Sequence, residues 1–102
     1  MSIHQLTTDQ FEEEVLQSEV PVFVDFYADW CGPCKMMMPT VEEVAAEKTE
    51  AKFFKVNIDH NRELAKKYRV MSIPTFIVFK GGEPYNRAMG VKNGDELLSM
   101  FD

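Results

Sequence analysis

The sequence has few cysteines and histidines and no long apolar run. It has two cysteines and two histidines, and it lacks a run of about 18 apolar residues, so we expect no membrane-spanning segment. A secreted scaffold held by disulfides usually has more cysteines, spread along the chain, so this class is disfavoured. A structural zinc site needs about four ligands, and His4 and His60 lie too far apart for the usual spacing, so we expect no metal.

Basic residues are outnumbered by acidic ones. The chain has 11 Lys and Arg against 17 Asp and Glu, which gives a formal net charge of −6. Affinity for nucleic acid depends on Lys and Arg that neutralise phosphates, so we expect no nucleic-acid partner. The same balance argues against an anionic membrane surface, and solubility is the ordinary explanation of the charge.

The start and the size of the chain indicate its class. The first five residues, MSIHQ, are not basic and lead into no long apolar run, whereas a signal peptide has both features. We therefore expect a cytoplasmic protein, with a secreted form that has already lost its leader as the alternative. Hydrophobic residues make up 45% of the 102 residues, which is enough for one core. One domain over residues 1–102 is the expected organisation.

Hydrophobic patterning predicts strands that alternate with helices. Stretches rich in β-branched and aromatic residues are predicted as strands, and they cover residues 3–6, 22–27, 52–58, 74–80 and 85–89. The first predicted helix begins after Thr7 or Thr8, and the second spans residues 31–48. The third and fourth begin after Asn61 and after Asn93. The side chains expected to face the core from these helices are Phe11, Val15, Val41, Val44, Ala45, Leu64, Ala65, Tyr68, Leu97, Leu98 and Phe101. Pro39 lies inside the second helix and should kink it.

Two local signals define connections in the second half of the chain. Gly81-Gly82 is a two-residue hairpin signal, and Asn93 with Glu96, three residues later, is a capping box at the start of the last helix. Strands that alternate with helices pair in parallel, whereas the hairpin adds antiparallel strands. The predicted fold class is therefore α/β, with one mixed central sheet and helices on both faces.

Cys31 and Cys34 carry the clearest chemical signal. Residues three apart on a helix share a face at about 5–6 Å, which suits a disulfide. The pair falls where a buried strand ends and a helix begins, so backbone N–H groups and the helix dipole favour a thiolate at Cys31. We expect Cys31, the exposed member, to attack a disulfide, and Cys34, further in and more buried, to resolve the mixed disulfide.

A metal site and a purely structural disulfide are the alternatives for this pair. The metal site lacks further ligands. A disulfide that closes so short a loop restricts the unfolded chain little, so it would stabilise the fold weakly. Thiol–disulfide exchange is favoured over both.

Residues 24–35 read VDFYADWCGPCK and resemble the active-site strand and loop of the thioredoxin family. Pro39, the segment SIPT at 72–75 and the glycines at 82 and 90 extend the likeness over nearly the whole chain. The resemblance implies a central sheet flanked by four helices and the reduction of disulfides in client proteins. It also implies recycling by a thioredoxin reductase and no need for a bound cofactor. Tyr27 and the run MMM at 36–38 depart mildly from the family pattern.

The resemblance also implies a substrate-binding surface, formed by Trp30, Gly32, Pro33, Ile73, Pro74 and Gly90. Trp30 is expected to shield the thiol and to shape this surface. The Ile73–Pro74 bond is expected to be cis and to face the cysteines, although most X–Pro bonds are trans. The backbone of Ile73 would then pair with an extended client segment, and Gly90 would leave room for it.

Asp25 lies in the middle of the apolar strand at 22–27. Burial disfavours the charged form of a carboxylate, so its pKa should rise above the usual value of about 3.9. In a structural interpretation, hydrogen bonds or an ion pair satisfy this buried acid, with Lys55 as the candidate partner that the resemblance places nearby. In a functional interpretation, Asp25 is a general base that deprotonates Cys34 through a water. We favour the functional interpretation because burying a carboxylate is costly.

Two other functions compete with a reductase. An oxidase or isomerase would use the same chemistry, but the Gly32-Pro33 pair and the non-basic start of the chain argue against it. A binding module or assembly subunit would keep the fold, with the redox pair secondary to its role. Such a module would keep its partner after Cys31 and Cys34 were both changed to Ser.

Pro33→His is expected to make the Cys31–Cys34 couple more oxidising. Proline has no N–H and cannot donate a hydrogen bond to the Cys31 thiolate, so the reduced form is only moderately stabilised, which suits a reductant. The reduction potential, measured by equilibration with glutathione, tests this account. An unchanged or more negative potential would contradict it.

Overall fold

The computed structural model of the chain describes residues 3–102. Within this part the strands are β1 (His4–Gln5), β2 (Val22–Tyr27), β3 (Lys52–Asn57), β4 (Thr75–Lys80) and β5 (Glu83–Met89). The α-helices are α1 (Thr8–Phe11), α2 (Gly32–Glu47), α3 (Arg62–Lys67) and α4 (Gly94–Ser99), and a π-helical turn over Glu12–Leu16 continues α1. The expected domain begins at Met1, and Met1 and Ser2 lie outside the described residues.

The five strands of the described part form one mixed sheet in the order β1-β3-β2-β4-β5. Strands β1 and β2 pair with β3 in parallel, whereas β4 runs antiparallel to β2 and β5 runs antiparallel to β4. The predicted α/β class with a mixed sheet is therefore confirmed. Within residues 3–102, every helix is too short or too polar to cross a membrane.

Strand β2 lies at the centre of the sheet and is buried on both faces. Phe23 packs in one core cluster with residues of α2 and α4. Val24 and Phe26 pack in a second cluster, with residues of α1, the π-helical turn and α3. All three side chains are fully buried, and burial of each contributes about 1.5–3 kcal/mol. These two layers fix the end of β2, from which a short loop leads into α2.

The first helix departs from its prediction after one turn. The Gln17 N–H donates to the Glu12 carbonyl at 2.9 Å, an i→i+5 bond that makes the second turn π-helical rather than α-helical. The wider turn places Val15 in the core with no exposed surface, and Leu16 packs beside it. The predicted burial of Phe11 and Val15 is confirmed, although the helix type differs.

Asn61 stands at the N-terminus of α3, but its side chain does not cap that helix. Its Oδ1 accepts hydrogen bonds from the N–H and the hydroxyl of Thr8, at 2.8 and 2.9 Å. Its Nδ2 donates to the Asn57 carbonyl at 2.9 Å. The prediction that the Asn61 side chain caps α3 is therefore wrong, because the unpaired N–H at the start of α1 lies within its reach.

Both predicted connections of the second half are confirmed. Asn93 Oδ1 accepts from the Glu96 N–H at 2.8 Å, and Glu96 Oε1 accepts from the Asn93 N–H at 2.9 Å, which completes the capping box of α4. Gly81 and Gly82 join β4 to β5 with φ angles of 60° and 79°. Only glycine adopts this left-handed region without cost, which explains both residues of the turn.

Gly82→Ala is expected to destabilise the fold more than Gly81→Ala. Each substitution forces a left-handed conformation that costs a residue with a Cβ about 1–2 kcal/mol. At Gly82 the new Cβ would also lie 2.5 Å from the backbone oxygen of Leu16, whereas at Gly81 it would meet nothing within 4 Å. Urea unfolding of both variants checks the difference, and equal losses of free energy would show that the contact with Leu16 relaxes freely.

Candidate active site

The two cysteines lie at the junction of β2 and α2. Cys31 is the N-cap residue of α2, and Pro33 lies in the first turn. Proline removes no hydrogen bond from the helix there, because the first N–H groups have no partner within it. The Cys34 N–H donates a hydrogen bond to Cys31 Sγ at 3.1 Å. The two residues form a disulfide with their Cα atoms 5.3 Å apart, as the spacing predicted.

Both cysteines are buried in the disulfide form. Cys31 is 4% exposed and Cys34 is 2% exposed, so the expectation that Cys31 is exposed is wrong for this state. The pair packs with Ala28 in a small cluster, which the half-buried Tyr27, Ile58 and Ile73 border. What distinguishes the two sulfurs is position: Cys31 begins the helix, and Cys34 lies within it.

The loop before β4 faces the cysteines. The Ile73–Pro74 peptide bond is cis, as the resemblance implied. The Ile73 carbonyl oxygen lies 3.9 Å from Cys31 Sγ, and the Pro74 carbonyl accepts a hydrogen bond from the Gly90 N–H at 2.9 Å. Gly90 has a φ of 86°, and space is open where a Cβ would lie. The structure therefore places Ile73 beside Cys31 and joins Gly90 to Pro74, the next residue of the same loop.

Trp30 is oriented by Asp59, a residue that no sequence motif indicated. Its side chain is 69% exposed, and its Nε1–H donates to Asp59 Oδ2 at 2.8 Å. The Asp59 N–H donates in turn to Asn57 Oδ1 at 2.9 Å. A signal for this contact was available, because the parallel strands β2 and β3 end at the same edge of the sheet. Shielding of the thiol by Trp30 stays a prediction.

Asp25 is fully buried in β2. Its neighbours in the sheet are Lys55 on β3 and Phe76 on β4. Within residues 3–102, neither of its carboxylate oxygens has a hydrogen-bond partner. Burial raises the pKa of Asp25 to about 7, and the positive charge of Lys55 opposes this rise. The predicted direction is confirmed, and desolvation is the larger cause.

Lys55 is adjacent to Asp25 but does not satisfy it. The Lys55 ammonium lies 5.6 Å from the centroid of the Tyr27 ring, in a cation–π contact, and the described residues contain no ion pair between Lys55 and Asp25. The interpretation of Asp25 as an acid satisfied by this lysine is therefore wrong. Lys55 is only partly buried, so its ammonium stays accessible to solvent and to the ring, whereas Asp25 is fully buried.

The Thioredoxin family model matches residues 2–102. The chain belongs to the thioredoxin family. It is 43% identical to a thioredoxin of Rickettsia felis over 100 residues, which are 97% of this chain and 95% of that protein. It is 46% identical to a thioredoxin of Mycobacterium bovis over 95 residues, which are 92% and 82% of the two chains. A bifunctional thioredoxin reductase/thioredoxin of Mycobacterium leprae is 45% identical over 95 residues, which are 92% of this chain and 21% of that protein.

This member of the thioredoxin family is a thiol–disulfide oxidoreductase with protein-disulfide reductase activity. Its redox-active pair is Cys31 and Cys34, which lie at bonding distance at the N-terminus of α2. Residues 3–102 contain no group of three His, Cys, Asp or Glu side chains suited to a metal ion.

Asp25→Asn is expected to stabilise the oxidised protein at neutral pH and to have little effect in acid. The folded pKa of about 7 lies above the ordinary value of 3.8, so the native state holds the proton longer than the unfolded state does. The destabilisation is absent below about pH 4, grows as the pH rises, and is complete above about pH 7. Since a tenfold change in acidity is worth about 1.4 kcal/mol, the gain at pH 8 is on the order of 4 kcal/mol.

Urea unfolding of the parent and of Asp25→Asn at several pH values between 4 and 8 measures this gain. Asp29→Asn, which changes an exposed acid in the loop after β2, is the matched control and should show no such pH-dependent gain. A variant that is less stable than the parent at pH 8 would show that the carboxylate is satisfied in solution.

Proposed function

We propose that Cys31 is the nucleophile and Cys34 the resolving cysteine in the reduction of client disulfides. The Cys31 thiolate attacks one sulfur of a client disulfide, and the other client sulfur leaves as a thiolate. The Cys34 thiolate then attacks Cys31 Sγ, which releases the second client thiolate and closes the Cys31–Cys34 bond. Two electrons pass to the client, and the chain is oxidised.

The position of Cys31 at the N-terminus of α2 is the observation that carries this assignment. The Cys34 N–H already points at Cys31 Sγ at 3.1 Å. After reduction, the same donor and the positive end of the helix dipole favour a thiolate at Cys31. Cys34 lies within the first turn, so it has less benefit from the dipole and needs a proton acceptor when it attacks.

Asp25 is proposed as that acceptor, acting through a water. Strand β2 places it on the same face of the sheet as Phe23, which α2 covers. Its pKa of about 7 is suited to taking up a proton near neutral pH. The unpartnered oxygens of Asp25 support this role, since they leave room in its hydrogen bonding for a water. Lys55 is proposed to adjust the basicity of Asp25 by its charge.

The client is proposed to bind across the surface beside Cys31, at the residues Trp30, Gly32, Pro33, Ile73, Pro74 and Gly90. An extended client segment pairs with the backbone of Ile73, in the manner of an added strand. The Ile73 carbonyl faces Cys31 Sγ, which supports this mode, because a segment paired there carries its disulfide to the nucleophile. The exposed indole of Trp30 adds an apolar contact at the rim.

A thioredoxin reductase is the proposed source of electrons. The Mycobacterium leprae relative carries both names, which supports such a pairing. Turnover with a thioredoxin reductase and its nicotinamide donor tests it.

We also propose that residues 1–102 act as one domain in the cytoplasm, since a dithiol reductant accumulates in its reduced form only where thiols are kept reduced. The net charge of −6 supports the proposal that neither nucleic acid nor an anionic membrane is a partner.

Cys31 is expected to be the thiol that iodoacetamide alkylates first in the reduced protein near pH 7. The helix N-terminus raises its thiolate fraction, and the reaction needs the thiolate. A peptide map of partly alkylated protein identifies the modified residue. Faster modification of Cys34 would exchange the two proposed roles.

Cys34→Ser is expected to accumulate mixed disulfides with client proteins because the resolving step is lost. Non-reducing electrophoresis after incubation with native, disulfide-bonded insulin detects them. Cys31→Ser is the matched control and should form no mixed disulfide through Cys34. The variant with both cysteines changed to Ser should reduce no insulin. A double variant that still captured its partner at full strength would favour the binding-module alternative.

A further inference from the structure

The loop that leaves β5 is tied to two other parts of the active site. At its start, the Gly90 N–H donates to the Pro74 carbonyl at 2.9 Å. At its end, the Lys92 N–H donates to the sulfur of Met37 at 3.4 Å. Between these anchors, Val91 is 56% exposed. The loop is therefore held on one side by the cis-proline segment and on the other by the active-site helix.

Met37 is suited to this contact by its position and its chemistry. It lies on α2 three residues after Cys34, so the two side chains share a face of the helix. It is 2% exposed and packs in the core cluster that includes Phe76 and Leu97. Among apolar side chains of this size, only methionine offers a sulfur as a hydrogen-bond acceptor. A leucine would fill the same space and leave the Lys92 N–H without this partner.

We propose that Met37 is a positioning residue that fixes the Gly90–Lys92 loop for the docking of protein clients. The inference rests on the proposed binding of an extended client at Ile73 and Gly90. The contact with Lys92 sets the distance between the loop and the helix that carries Cys31. After loss of the contact, the Lys92 end of the loop is held only through the capping box of the next residue, Asn93, so the exposed Val91 is presented less firmly. A small disulfide that reaches only the sulfur does not need the loop, whereas a protein client does.

Met37→Leu tests this role, and Met38→Leu is its matched control. Exchange of methionine for leucine conserves the volume of a core side chain, so both variants should fold, and their unfolding midpoints verify it. Met38 is a neighbouring, partly buried methionine that packs against the same core cluster.

Three measurements compare the variants with the parent. Steady-state reduction of insulin, coupled to a thioredoxin reductase, gives KM and kcat. The rate with 5,5′-dithiobis(2-nitrobenzoic acid) reports attack on a small disulfide. Amide hydrogen exchange at Lys92 reports the contact itself.

For Met37→Leu we expect exchange of the Lys92 amide to be about tenfold faster, since the hydrogen bond that protects it is lost. The KM for insulin should rise about three- to tenfold while kcat and the small-disulfide rate change by less than about twofold, because binding is affected and chemistry is not. Met38→Leu should match the parent in all measurements.

Two kinds of result would overturn the inference. An unchanged Lys92 amide would show that the sulfur contact does not hold the loop, and equal losses with insulin and with the small disulfide would show that Met37 acts on the cysteines instead. A parent protein that failed to reduce insulin would contradict the proposed function. A parent that reduces insulin, with a Met37→Leu variant of unchanged KM, would overturn this inference alone.

Discussion

The hydrogen bond from the Cys34 N–H to Cys31 Sγ joins the fold of this protein to its chemistry. The first N–H groups of a helix have no partner within the helix, and a side chain at the N-cap usually supplies an acceptor. In α2 the sulfur of Cys31 has that position, so one of these N–H groups is satisfied by the atom that reacts. The Cys34 N–H, which this sulfur caps in the disulfide form, is already aimed at the thiolate that forms on reduction.

That arrangement depends on strand β2, which delivers Cys31 to the end of the sheet. Because β3 and β4 pair with it on either side and both its faces are covered, β2 has little freedom to shift. The same enclosure leaves Asp25 without a partner among residues 3–102 and raises its pKa to about 7. The fixed position of Cys31 and the raised pKa of Asp25 therefore share one cause, which is the burial of the strand.

Periodicity and local capping signals were sufficient to predict most of the fold. The run at 22–27 is the buried central strand, and Asn93 begins the last helix, because both depend on neighbours close in sequence. Two of the errors concern side chains with a choice of distant partners. Asn61 reaches Thr8, and Lys55 lies over a ring rather than on Asp25. Such choices depend on how the strands are placed in three dimensions, and the alternation of residues along one strand does not determine them.

Backbone atoms form most of the polar contacts between the segments of the site. The N–H of Cys34 faces one sulfur, the carbonyl of Ile73 faces the same sulfur, and the carbonyl of Pro74 accepts from Gly90. Ile73, Pro74 and Gly90 act in these contacts mainly through the backbone conformation that they permit. In the proposed docking mode, a surface of this kind recognises an extended segment and places few demands on its sequence. Met37 is different, since its side chain reaches from α2 to the loop after β5 and supplies the acceptor for the Lys92 N–H there. A change at Met37 therefore alters the presentation of the loop without altering the backbone conformation that the other contacts require.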